Sequence, residues 1–253
     1  MKRLLVLLAF LPLMGKAQLL LGGKNIIKTN LSSLVLKNYH FTYERALTKH
    51  VSLSLSYRTM GDTKVPIQST VEKYLDDPNV NVGEFVMSGH AITPEVRLYL
   101  GRGRLKGFYI AGYYRSSQFD LSVPVSYSTT FGANTYKKST VVSGNIKGNA
   151  GGLMIGVQKN IAKFLVLDFW ILGGHYGSSN GDMTATITES YPGSLSTEQD
   201  AAINELKRIN TKPFEFEYSK TVNTPPSSGT INAKSTGPWA GVRAAGICLG
   251  VRF

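Results

Sequence analysis

The residues whose types could do chemistry are few: one cysteine, four histidines and one serine string of catalytic type. Cys248 is the single thiol, so the chain can build neither an internal disulfide framework nor a multi-cysteine metal site. Gly177-Ser178-Ser179-Asn180-Gly181 matches the G-x-S-x-G string. A nucleophile elbow needs a strand that turns directly into a helix, and the polar, glycine-rich stretch that follows has no helical periodicity. His175 precedes the string, three residues before Ser178 and four before Ser179. In a strand, Ser178 would point away from His175, while Ser179 would share its face but sit about 13 Å along. Only a bulge or turn would bring them together. His40, His50 and His90 stand alone in the sequence. There is no H-E-x-x-H and no phosphate-binding G-x-x-x-x-G-K-[ST], and Gly101-Arg102-Gly103 reads as a turn because no helix follows it. The sequence therefore predicts no catalytic residue, no cofactor and no metal site.

The elements that would position any such residue belong to an exported, β-rich protein. Met1-Lys2-Arg3 is a short basic region, Leu4 to Met14 is an almost purely apolar run, and Gly15-Lys16-Ala17 is a small-x-small cleavage site. Eleven apolar residues rise only about 16 Å as a helix, roughly half a bilayer core, so residues 1–17 read as a signal peptide rather than an anchor. Removing them leaves residues 18–253 as a single domain with 25 basic and 16 acidic residues, a net charge of +9. Those basic residues are dispersed and the chain is exported, which discards a nucleic-acid partner. Charged residues make up only 17 % of the chain, low for a surface that faces water alone.

After the signal, no stretch approaches 18 consecutive apolar residues, and what recurs is alternation. Val51, Leu53, Leu55 and Tyr57 fall on one face of a strand, with Ser52, Ser54, Ser56 and Arg58 on the other. Ile247, Leu249, Val251 and Phe253 repeat the pattern at the end of the sequence. The same template predicts eight strands near 25–35, 39–47, 51–59, 92–100, 107–117, 150–159, 164–176 and 239–253. Three connections are short, at Thr48–His50, Gly101–Lys106 and Asn160–Lys163, and they alternate with long ones near 60–91, 118–149 and 177–238. An even strand number with short turns at one end and long loops at the other is the layout of a transmembrane barrel. A strand in lipid must pair every backbone N–H and C=O, and only closure achieves this. The expected fold is all-β: an eight-stranded antiparallel transmembrane β-barrel with long extracellular loops. Ten strands is the alternative, because Phe214-Glu215-Phe216-Glu217-Tyr218 alternates as well.

The inward parity collects Lys28, Glu44, Arg58, Glu95, Arg97, Arg115 and Asp168, together with Tyr99, Tyr109, Tyr113 and Trp170. An eight-stranded barrel is only wide enough for its own side chains, so mixed charge predicts a paired, hydrogen-bonded plug in place of an open pore. Ala244, Gly246, Cys248 and Gly250 would then be small inward residues that make room for large neighbours. Lys49, Arg102, Arg104, Lys106, Lys159 and Lys163 gather in or beside the short turns. In the longest loop, Ser196-x-x-Gln199 is a capping-box pattern, and Ala202, Ile203, Leu206 and Ile209 recur at helical spacing, so 197–209 reads as an amphipathic helix packed on the rim. Thr70 before Val71-Glu72-Lys73-Tyr74-Leu75 reads as one helical turn, Pro225-Pro226-Ser227-Ser228-Gly229 as a turn tip, and Asp120 to Tyr127 as a strand continuing past the membrane.

The segments Ile26-Ile27-Lys28-Thr29-Asn30-Leu31, Phe41-Thr42-Tyr43-Glu44-Arg45-Ala46-Leu47, Ile92-Thr93-Pro94-Glu95-Val96-Arg97-Leu98-Tyr99 and Gly250-Val251-Arg252-Phe253 carry a family resemblance. With Gly107-Phe108-Tyr109 and Gly151-Gly152, they resemble the small outer-membrane β-barrel proteins of Bacteroidetes, similar in plan to the OmpA-type barrel. The resemblance implies the outer membrane of a Gram-negative bacterium, contact with outer-membrane lipids, and insertion by the barrel assembly machinery. Gly246, Leu249 and Val251 fit the usual insertion signal, with Phe253 two residues beyond it. The family supplies no catalytic residues. The expectation is a non-enzymatic structural or interaction protein whose loops meet a protein or surface ligand. One alternative is an outer-leaflet lipid-modifying enzyme, because His175-Tyr176-Gly177-Ser178-Ser179-Asn180 resembles the His-x-Ser-Asn of barrel-type lipid A deacylases. The other is a small transport channel.

Overall fold

The computed structural model describes residues 23–35, 37–64, 82–188, 194–209, 211–222 and 228–253. The signal segment 1–17, the helical turn expected after Thr70 and the Pro225-Pro226-Ser227 tip lie outside the described residues. Nine antiparallel strands form one sheet: β1 (Asn25–Asn30), β2 (Asn38–Ala46), β3 (Val51–Lys64), β4 (Val86–Tyr99), β5 (Gly107–Phe131), β6 (Asn134–Asn160), β7 (Leu165–Thr188), β8 (Glu215–Val222) and β9 (Ser228–Arg252). Neighbours in sequence pair from β1 to β7, β9 follows β7, and β9 returns to β1 through Ile26↔Arg252 to Asn30↔Cys248. The ring therefore closes with eight strands, as the alternation predicts. β8 is a ninth strand outside the ring, and it pairs only with Gly229 to Thr236 of β9. The alternation around Phe216 thus marks a hairpin extension, not a ten-stranded barrel.

Alternation sets the two faces of the ring. Leu53, Leu55 and Tyr57 are exposed on the outside of β3, while Ser52, Ser54 and Ser56 are buried inside it. The same outward exposure continues through Phe41 and Tyr43, Val96 and Leu98, Phe108 and Ile110, and Leu153, which makes an apolar belt around the ring. Tyr114 and Tyr176, both outward and about half exposed or more, flank Gly151 in one hydrogen-bonded row, and Ala240 continues that row on β9. Among the described residues no helix is long and apolar enough to cross a membrane.

Three departures from the expected layout matter for the site. The first strand stops at Asn30, where its side-chain oxygen accepts the Ser33 N–H at 3.1 Å and caps a one-turn helix, α1 (Leu31–Leu34). Ser33 Oγ then donates to Asn38 O at 2.9 Å, so α1 stands where a longer β1 would have continued the wall. The predicted strand 25–35 was too long because a capping asparagine ends it.

The second departure concerns the long loops. Segments 118–149 and 177–238 are mainly strand: β5 and β6 stay paired up to Phe131↔Asn134 across a Gly132-Ala133 turn, and β7 pairs with β9 out to Thr188↔Ser228. Serine, threonine, asparagine and lysine dominate these extensions, so they lack the apolar outer face by which a membrane strand is recognised. The continuation from Asp120 to Tyr127 is thus part of one 25-residue strand.

The third is a parity change. In β7 the inward residues are Val166, Asp168 and Trp170, then Gly173, His175 and Ser179, because Ile171 and Leu172 both face outward. β9 does the same at the opposite position, where Ala244 and Ala245 are both exposed between buried Arg243 and Gly246, and Ala245 has a positive φ of 50°. The register to β6 shifts at this point, from Ile155↔Leu172 to Gly156↔Trp170. Bulges increase twist and re-aim side chains. Here the consequence is that Ala244, expected inside, lies outside, and Arg243 turns inward.

The extended hairpins are held together by α2 (Leu195–Arg208). Its cap is Ser194, whose Oγ accepts the Thr197 N–H at 3.3 Å. The cap lies two residues before the expected Ser196: Ser196 Oγ instead accepts from Lys220 Nζ at 3.1 Å, and Gln199 Nε2 donates to the carbonyls of Thr221 and Thr230. The predicted stripe of Ala202, Ile203 and Leu206 is buried against Val125, Val142, Ile187 and Ile231 on the inner faces of β5, β6, β7 and β9. Burial, with the Glu198 carboxylate beside it, pushes the Tyr127 hydroxyl up to about 12. Leu206→Ala is expected to loosen α2 by about 2 kcal/mol or more. The readout is faster protease cleavage within residues 194–222 while the ring itself stays intact, as local unfolding predicts.

Candidate functional site

Inside the ring, two layers lie between the short turns and α2. The lower is the paired plug. Lys28 Nζ donates to Glu44 at 2.6 Å, Asp168 at 2.7 Å and Gln158 at 2.8 Å, and all four side chains are buried. Arg97 donates to Asp168 at 2.7 Å through Nη1 and to Glu95 through Nε. Tyr99 and Ser52 each donate to Glu44 at 2.6 Å, and Tyr109 donates to Asp168 at 2.8 Å. Leu105, in the β4–β5 turn, closes the bottom: its side chain is buried and its carbonyl accepts from Gln158 Nε2 at 3.0 Å. Gly156 permits this packing, because a Cβ there would lie 2.4 Å from the Tyr109 hydroxyl. Every carboxylate of the plug meets a cation, which is the arrangement that buried charge requires.

The count of charges points upward. Lys28 and Arg97 face Glu44, Glu95 and Asp168, and the remaining anionic partner is matched from the next layer, where Arg243 Nη1 donates to Glu95 Oε2 at 3.3 Å. Above that contact the lumen opens into a chamber of about 500 Å³, the size of a small-molecule site. Its walls carry Arg58, Arg115 and Arg243 with His40 and His175, and its aromatic surfaces are Trp170 below and Phe119 with Trp239 above. Arg58 Nε donates to Asn38 Oδ1 at 2.9 Å and Arg115 Nη1 to Thr93 Oγ1 at 3.3 Å. Among the described residues neither guanidinium has a carboxylate partner. The chamber therefore holds an excess of about two positive charges next to a plug that is balanced.

Three buried polar atoms of the chamber wall also have no hydrogen-bond partner among the described residues: His40 Nε2, Trp170 Nε1 and Arg243 Nη2. Arg243 is only 8 % exposed and is clamped by aromatic faces, its guanidinium carbon 4.4 Å from the Trp170 ring and 4.7 Å from the Tyr113 ring. The His40 ring meets Trp170 edge-on at 5.1 Å between centroids. Gly246 leaves the space for that indole, since a Cβ there would sit 2.4 Å from it. These contacts hold the cationic and N–H donors in fixed directions.

The chamber is also open at its side. β9 is paired on its second edge by β8 only as far as Thr236 and by β1 only from Cys248, so among the described residues its edge between them has no strand beside it. α1 lies there instead, and Ser32 Oγ accepts the Ile247 N–H at 3.3 Å. The chamber is lined both by inward Gly241 and Arg243 and by outward Ala240, Val242 and Ala244, along with Ser32 and Ser33 of α1. A cavity that touches both faces of one strand crosses the wall at that strand's free edge.

The predicted inward residues Lys28, Glu44, Arg58, Glu95, Arg97, Arg115 and Asp168 all reach the lumen, divided between plug and chamber. Cys248 is buried beneath the chamber, among the plug residues. The serine string forms no elbow: Gly177 to Gly181 lies within β7, which runs straight on to Thr188. Ser178 faces outward, Ser179 Oγ donates to Gly237 O at 3.2 Å, and His175 Nδ1 meets the Tyr113 hydroxyl at 3.1 Å. The bulge at Ile171 and Leu172 lies before His175, so the spacing from His175 to Ser179 stays that of a regular strand, and the imidazole meets a tyrosine and no serine among the described residues. Arg243 was missed by the sequence reading, because strict alternation from Phe253 places it outward. Its signal was its charge: an arginine in an apolar parity marks a place where alternation breaks.

No family model matches the chain, and no curated protein matches it. Among solved structures the chain is similar to a crystal structure of CarO2 from Acinetobacter baumannii, at 14 % identity and a TM-score of 0.34, covering 85 % of this chain and 97 % of that one.

Proposed function

We propose that the chain is an integral outer-membrane β-barrel that binds and does not catalyse or conduct. The observation that carries this reading is the contrast between the two faces of one closed ring. Outside, an apolar belt surrounds the wall; inside, an ion-paired plug fills the short-turn end. A soluble barrel has no reason to expose Phe41, Leu55, Val96 and Leu153 together, whereas lipid makes that exposure favourable. The resemblance of its strand segments to small Bacteroidetes outer-membrane barrels supports the same location. Closure at the plug argues against a channel, since Lys28, Arg97, Tyr99 and Tyr109 occupy the lumen with all their polar contacts made within it. The binding elements are then the cationic chamber and the long hairpins carrying α2.

The test is electrophoretic mobility of the protein from an isolated outer-membrane fraction, in SDS with and without boiling. A folded barrel that resists cold SDS and shifts on heating is the expected result. A protein recovered from the periplasm with no shift would overturn the reading. In planar bilayers the expected trace shows no discrete conductance steps, and regular single-channel openings would return the channel alternative.

A further inference from the structure

Resting on the outer-membrane reading, we infer that the chamber is a site for the phosphomonoester headgroup of an anionic amphiphile, which enters sideways from the lipid across the free edge of β9. Four independent features meet at one place. The charge excess comes from Arg58 and Arg115, which have no carboxylate among the described residues, and a phosphomonoester carries about −1.5 to −2 at neutral pH. A single carboxylate would leave one guanidinium unmatched. The directed donors are Arg243 Nη2 and Trp170 Nε1, with the imidazole His40 Nε2 beside them, each buried and without a partner among the described residues. Guanidinium groups bind phosphate oxygens through paired, charge-assisted hydrogen bonds, which are the strong class.

The remaining two features choose a lipid over a free anion. The opening lies in the wall, beside Ala240 to Gly246, and not at the short-turn end, which the plug closes. Its outer rim is apolar: Leu31 and Leu34 of α1 and Val242 of β9 are all exposed there. The rim also sits by the hydrogen-bonded row that carries Tyr114 and Tyr176, and tyrosines of such belts mark the headgroup level. An acyl chain lying on that rim would therefore place its headgroup at the mouth of the chamber. Trp239 and Phe119, whose rings are 5.8 Å apart, roof the space and separate it from the α2 layer.

The experiment uses the two tryptophans of the chain, Trp170 and Trp239, both of which line the chamber. The full-length folded barrel, first verified by its heat-dependent mobility, is held in a nonionic maltoside detergent and titrated with monododecyl phosphate. Intrinsic fluorescence is expected to change saturably. Inorganic phosphate is expected to bind at least 100-fold more weakly, because it forgoes the apolar rim. Arg115→Gln and Arg58→Gln, each checked for the heat shift, are expected to weaken monododecyl phosphate at least tenfold, and Arg58→Lys to weaken it less. Equal affinity for inorganic phosphate would overturn the lipid source. No saturable change in a heat-modifiable wild-type barrel would overturn the site while leaving the barrel reading intact. Loss of the heat shift in the wild type would instead count against the barrel reading itself.

Discussion

Asp168→Ala is expected to be among the most damaging single substitutions in the ring, lowering stability by about 3–5 kcal/mol. One carboxylate oxygen accepts both Lys28 Nζ and Arg97 Nη1 at 2.7 Å, and the other accepts the Tyr109 hydroxyl at 2.8 Å. Removing it leaves two buried cations sharing the remaining Glu44 and Glu95, together with an unpaired phenol. The damage arises from the stranded charges more than from the lost bonds, and this can be separated. Lys28→Met in the Asp168→Ala background should cost much less than Lys28→Met alone, because the second change removes a cation that the first has orphaned. Denaturant midpoints of the barrel folded into vesicles measure both arms. Additive costs in the double variant would mean that the two residues are not coupled as their geometry requires.

Leu55→Arg is the second large effect, with an expected cost of about 2–4 kcal/mol in a bilayer. Leu55 faces outward from β3, in register with Tyr43 and Pro94, within the apolar belt. The neighbouring Ser54→Ala should be nearly neutral, since Ser54 Oγ is buried without a partner among the described residues and loses no hydrogen bond on removal. The pair also reports on the solvent outside. At an exposed position in water, a leucine-to-arginine change stays within about 0.5 kcal/mol. A tolerated Leu55→Arg would therefore place β3 against water and remove the membrane reading.

Much of the ring was legible in the residues because alternation is a local property. Val51 to Tyr57 reveal an inside and an outside without reference to any other strand, and eight such segments with sorted turn lengths imply closure. The composition of the plug was legible for the same reason: parity alone put Lys28, Glu44, Glu95, Arg97 and Asp168 inside. The α2 stripe was readable from helical spacing. What was not readable was how far β5, β6, β7 and β9 continue beyond the apolar belt, since their extensions are polar on the outer face and pair through backbone groups that any sequence supplies.

The chamber was decided by tertiary structure. Its existence depends on β1 ending at an asparagine cap, on the β8–β9 pairing stopping at Glu215↔Thr236, and on a bulge shared by Ile171 and Ala245. Each is an interruption of a period, and a period is what sequence reading detects. The bulge exchanges the faces of everything beyond it, which brings Arg243 and His175 inward and turns Ala244 out. Which charge meets which was equally hidden: Lys28 and Asp168 are 140 residues apart, and only closure of the ring sets them 2.7 Å from one another. The sequence by itself determined a closed, two-faced wall and the kinds of side chain it encloses, because burial against lipid or lumen acts residue by residue. Their partners, and the breach in the wall beside the arginines, follow from register, which only the assembled sheet defines.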